Sequence, residues 1–137
     1  MRASGWARRA GATGIYCAAI GAFLAVRAAT TLAGGASFGA PGDGWRSVFQ
    51  LIAVAILAVG LARGGAARAS VGVVGAIYAT ATVLELFDGS ALLGAIPVDM
   101  RDRVVHPLLA VVAVACVAAA RRSAPASSEA IGGANRG

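Results

Sequence analysis

Residues 103–120 read RVVHPLLAVVAVACVAAA, and after Pro107 the run holds only Leu, Val, Ala and Cys before Arg121 and Arg122 close it. At about 1.5 Å of rise per residue, such a segment comes close to the roughly 30 Å hydrocarbon core of a bilayer. Working back along the chain, three further apolar runs of similar reach occupy residues 13–33, 45–62 and 69–87. This pattern predicts an all-α protein, a four-transmembrane-helix antiparallel bundle with both termini cytoplasmic.

Composition excludes the other broad classes. Among 137 residues, 58% are hydrophobic and 13% charged, and the mean hydropathy is +0.77, whereas soluble domains carry about a quarter charged residues. A domain this small cannot bury every face of four apolar helices in water. The formal net charge of +6 does not indicate nucleic acid, because the basic residues flank apolar runs and form no basic stripe with interleaved aromatics. All twelve basic residues are Arg, a bias that reads as GC-rich coding and points to a bacterial source.

The arginines alternate by side. Arg2, Arg8 and Arg9 precede the first span, Arg63 and Arg68 occupy the second connection, and Arg121, Arg122 and Arg136 follow the fourth. Against these eight, the first and third connections carry Arg46, Arg101 and Arg103 beside Asp43, Asp88, Asp99 and Asp102. The positive-inside rule then predicts both termini in the cytoplasm, and with the bacterial source the expected location is the bacterial inner membrane. A cleaved signal peptide is the rival reading of residues 14–26, but the apolar pattern resumes past Arg27 to Gly34, and cleavage leaves an odd span count. The expected organisation is a cytoplasmic basic segment (1–12), a membrane domain (13–122) and a disordered cytoplasmic tail (123–137), rich in Ser, Ala and Gly.

Turn chemistry agrees with these limits. Gly34 and Gly35 end the first helix, Pro41 to Gly44 supply a turn and cap, and Gly64 with Gly65 make a tight second turn. Residues 91–96 form an apolar piece too short to span, expected at the outer interface or slightly re-entrant. Asp99 and Asp102 have capping-box spacing ahead of the fourth span, and Pro107 requires either a start near Arg103 or a kink at His106. Small residues recur at Gly14, Ala18, Gly21 and Ala25 and at Gly72, Gly75 and Ala79, spacing that allows close helix contact but arises readily by chance in so Ala- and Gly-rich a chain.

Polar residues within apolar spans are the candidates for function. Arg27 and Glu85 stand at similar depth in the first and third spans, which predicts an ion pair between them or snorkelling to the headgroups. His106 follows Asp102 by one turn, so the carboxylate is expected to orient the imidazole. With Gln50 in the second span, the set Arg27, Gln50, Glu85, Asp102 and His106 predicts a structural or ligand-binding cluster near the outer face. Tyr16, Phe23, Arg27 and Thr30 on the first helix, and Gly75, Tyr78, Thr82 and Glu85 on the third, are expected to face inward. No catalytic residues, cofactor or metal site are indicated: one His builds no zinc site, and Cys17 and Cys116 form no CxxC and read as buried thiols.

The stretch from Gly72 to Val117, with Tyr78, the loop Ile96-Pro97-Val98-Asp99, and then Asp102 and His106, resembles a family of small bacterial four-helix integral membrane proteins defined only as a domain of unknown function. Members show a proline-containing third loop followed by Asp, Asn, two variable residues and His; Arg103 stands here in place of the Asn. The family's second span often carries Asn and His, where this chain has Ser47 and Gln50. The resemblance implies a fold and a compartment and no catalytic role, and the missing second His argues against a paired-His metal or haem site.

The functional expectation is a non-enzymatic structural or interaction component whose partners are the lipid bilayer and a membrane protein or a second copy, with no nucleic acid. The alternative is a small transporter or channel subunit using Glu85 and His106 as titratable groups.

Overall fold

The computed structural model describes residues 3–63, 65–88 and 90–123. Its helices are α1 (Ala3–Ala33), α2 (Asp43–Ala62), α3 (Ala67–Asp88) and α4 (Asp102–Arg122), and between the last two lies a hairpin of β1 (Ala91–Leu92) and β2 (Ile96–Pro97). Among the described residues the protein is therefore all-helical apart from two very short strands. All four helices contain a segment long and apolar enough to cross a membrane: Gly11–Ala33, Asp43–Ala62, Ala67–Phe87 and Asp102–Arg122. Each extends one or two residues past the apolar run because a helix's terminal turns accept polar residues.

At Gly11 the backbone has φ 61 and ψ −178, a conformation open essentially to glycine alone, and it separates residues 3–10 from the spanning part of α1. The expected tail disorder of residues 124–137 lies outside the described residues. Large apolar side chains remain on the outside of the bundle, with Val111 and Val114 of α4 exposed by 66% and 68%. Such a surface suits lipid and not water.

The core is built from Tyr16, Leu24, Leu57, Val71, Val74 and Tyr78. In lipid no hydrophobic drive pulls helices together, so association depends on close packing and a few polar contacts. A methyl group added at Gly75 would stand 2.7 Å from the Ala113 Cβ, and one at Gly60 would stand 2.7 Å from the Ser70 Cβ. These glycines set the spacing of α3 against α4 and of α2 against α3. Gly21 is looser, with Leu57 as its nearest neighbour at 3.8 Å, and Gly72 faces open space.

Residues 91–97 do not lie as a plain apolar segment. They turn through Leu93 and Gly94, at φ 53 and 70, so that Ala91 pairs with Pro97 and Leu92 with Ile96. Leu92, in β1, is buried. The Gly42 N–H donates to the Ala95 carbonyl at 2.9 Å, which joins the first connection to the third.

The start of α4 forms the capping box that its spacing predicts. The Asp99 carboxylate accepts from the N–H of Asp102 at 3.0 Å, and the Asp102 carboxylate accepts in return from the Asp99 N–H at 3.4 Å. The helix continues through Pro107 to Arg122, and the one hydrogen bond that proline cannot donate does not end it.

Candidate functional site

Asp102 is the centre of a polar network at the hairpin end of the bundle. Its side chain is only 2% exposed, and it meets two guanidiniums: Arg27 Nη2 of α1 at 3.1 Å from Oδ1, and Arg46 Nε of α2 at 3.4 Å from Oδ2. Arg46 also donates from Nη2 to the Pro97 carbonyl at 2.7 Å and lies 3.5 Å from Asp99 and 3.6 Å from Asp43. One buried carboxylate thus ties α1 and α2 to the N-terminus of α4, while Arg46 holds the hairpin. Such an arrangement satisfies the rule that buried charges are paired and hydrogen-bonded.

Glu85 of α3 engages α4 separately. Its Oε1 is hydrogen-bonded to Nδ1 of His106, and both residues are buried. The His106 ring packs against aromatic rings: its centroid lies 5.2 Å from that of Tyr78 and 6.4 Å from that of Phe49, and Phe49 meets Tyr78 edge-on at 5.5 Å. Tyr78 is 1% exposed, yet its hydroxyl has no hydrogen-bond partner. A buried phenol without a partner costs about 1–3 kcal/mol.

Two expected pairings are corrected. Arg27 meets Asp102 and not Glu85, and Glu85, not Asp102, holds the His106 imidazole. The reason is packing: α3 lies chiefly against α4, which brings Glu85 to His106, and α1 lies chiefly against α2 and touches α3 only lightly. Equal depth did not make neighbours of Arg27 and Glu85.

Gln50 is buried on α2, but among the described residues no hydrogen bond joins it to the four charged residues. The inward face expected of α1 is half right. Tyr16 is buried and its hydroxyl donates to the Leu109 carbonyl at 3.0 Å, while Phe23 is 46% exposed and Thr30 bonds its own helix. Thr82 likewise donates to the Tyr78 carbonyl one turn back, at 2.8 Å, so it makes no bridge between helices. Arg46 and Phe49 were the residues that sequence reasoning missed. Arg46 counted as a connection charge, although its three-residue spacing from Asp43 and four-residue spacing to Gln50 mark it as helical.

At the aqueous edge, burial pushes the Asp99 carboxyl up, but the Asp102 N–H, the Arg46 guanidinium and the Arg101 N–H outweigh that and hold it below the usual carboxylate range. Cys17 and Cys116 are free thiols. Among the described residues no group of three or more His, Cys, Asp and Glu side chains is placed to hold a metal ion. Comparison with protein-family models, with curated proteins and with solved structures finds no match to this chain.

Proposed function

We propose that this chain is a multi-pass protein of the bacterial inner membrane, an antiparallel four-helix bundle with both termini in the cytoplasm, and that it serves there as a non-catalytic structural or interaction component. The observation that carries the reading is Asp102: a carboxylate 2% exposed, engaged by arginines from two other helices and by its own helix cap. A group so fully committed rigidifies a scaffold and is poorly placed to exchange ligands. Orientation is supported by the eight arginines on one side against three among four acidic residues on the other. The resemblance of residues 72–117 to small four-helix membrane proteins of unknown function supports the same class.

One observation favours the second reading, a small transporter or channel subunit. The buried Glu85–His106 pair lies beside the unpartnered Tyr78 hydroxyl, so an acid, a base and a spare phenol share one apolar region. Purification of the full chain from native membranes in mild detergent, with mass spectrometry, is expected to recover a stoichiometric membrane-protein partner or a second copy. Reconstituted alone in proteoliposomes, the protein is expected to carry no proton flux above that of empty vesicles. A flux lost in His106→Ala with an unchanged thermal midpoint would establish the transporter reading and overturn the scaffold.

A further inference from the structure

Between α1 and the start of α4 runs an open groove of about 600 Å³, lined by Phe23, Arg27, Met100, Arg101, Val104 and Val105. Its two charged lining residues are both arginines. Arg27 gives one face of its guanidinium to Asp102 yet stays 23% exposed. Arg101 is exposed, and its guanidinium has no ion-pair partner among the described residues. The nearby carboxylates point elsewhere: Asp102 is buried behind Arg27, and Asp43 and Asp99 lie against Arg46.

The groove is also ordered along its length. Arg101 precedes the first residue of α4, whereas Val104 and Val105 lie within its first turns, so a charged end of the groove adjoins an apolar one. A second depression of about 500 Å³, formed with Ala22, Val26 and Thr30, shares Phe23 and Arg27 with the first. Arg27 therefore lines two adjoining, largely apolar depressions. A phosphodiester above two acyl chains has the same order of charge and apolar surface.

From this geometry we infer that the α1/α4 groove binds an anionic diacyl glycerophospholipid, its phosphate held between Arg27 and Arg101 and its chains lying along Phe23, Val104 and Val26. The inference rests on the membrane reading above and names a partner for it. Arg101 supplies charge from an exposed arm, while Arg27 is fixed by Asp102 and supplies direction. Asp102 thus both anchors the lock and aims one half of the lipid site.

The test is native mass spectrometry and thermal melting of the full chain in nonionic detergent, with phosphatidylglycerol, phosphatidylcholine or inorganic phosphate added. Phosphatidylglycerol is expected to be retained and to raise the midpoint. Phosphatidylcholine should bind at least fivefold more weakly, and inorganic phosphate should have no effect. Arg101→Gln should lose about fivefold in phosphatidylglycerol affinity, equivalent to about 1 kcal/mol for one arginine near a lipid surface. Arg68→Gln, at the α2–α3 end, should lose none.

Filling the channel with Val104→Trp, at a site 64% exposed, should weaken lipid binding with all charges kept. Equal binding of the two lipids, competition by inorganic phosphate, or unchanged affinity in Arg101→Gln or Val104→Trp would overturn the site. If membranes retain the protein while the lipid preference is absent, only the site falls. Recovery of the chain in the soluble fraction would overturn the membrane reading as well.

Discussion

Replacing Arg27 and Asp102 by Ala, singly and together, tests the network most directly. Two unit charges 3.1 Å apart attract by about 5 kcal/mol gross at an effective dielectric of about 20. Desolvation offsets most of this, and polar contacts between membrane helices reach only about 1.7 kcal/mol. Asp102→Ala should destabilise by about 3 kcal/mol, because it leaves Arg27 and Arg46 without their shared carboxylate and removes half of the capping box. Arg27→Ala should cost about 2 kcal/mol, since Asp102 keeps Arg46.

The double change should then fall short of the sum by about 1–2 kcal/mol, read from unfolding midpoints in mixed detergent. A parallel cycle on Arg27 and Glu85, which share no hydrogen bond, should remain additive within about 0.5 kcal/mol. Additivity at Arg27 and Asp102, or an equal coupling at Arg27 and Glu85, would refute the pairing.

Two further outcomes follow from topology and from the loops. In a background with Cys17 and Cys116 replaced by Ala, Ser37→Cys and Ser90→Cys should react with an impermeant thiol reagent added outside intact cells and Ser123→Cys should not; reversed labelling would refute the orientation. The Asp99 carboxyl ionises below its unfolded value of about 3.9, so its contribution is present above that pH and is lost as pH falls through the folded value. Thermal midpoints in detergent should drop on acidification below about pH 4, and Asp99→Asn should flatten that drop; an identical acid profile in the variant would refute the assignment.

Much of the architecture was legible because helices long and apolar enough to cross a membrane meet a simple demand. A helix that must hide its backbone across the membrane shows itself as an uninterrupted apolar run, and Gly34, Gly44 and Arg121 bracket such runs. The cap at Asp99 and Asp102 was legible for a similar reason, since a capping box is local in sequence.

The pairings were less so. Position along a helix gives depth, but the partner depends on the direction each side chain faces and on which helices adjoin, and both arise from contacts such as Gly75 against Ala113. The hairpin was hidden because two-residue strands show no alternation, and its turn depends on Leu93 taking a positive φ that nothing in its side chain announces.

The position of Asp102 also bears on how the protein is made. Both arginines that meet it lie upstream, in α1 and α2, and so emerge from the ribosome before it does. On the membrane reading proposed above, α4 is inserted last, so both counter-charges of its acidic start precede it. On that reading the seating of the last helix depends on charges laid down by the first two, and chain order carries part of the information for assembly. A circular permutant beginning at α4 would hold the same contacts yet lose that guidance.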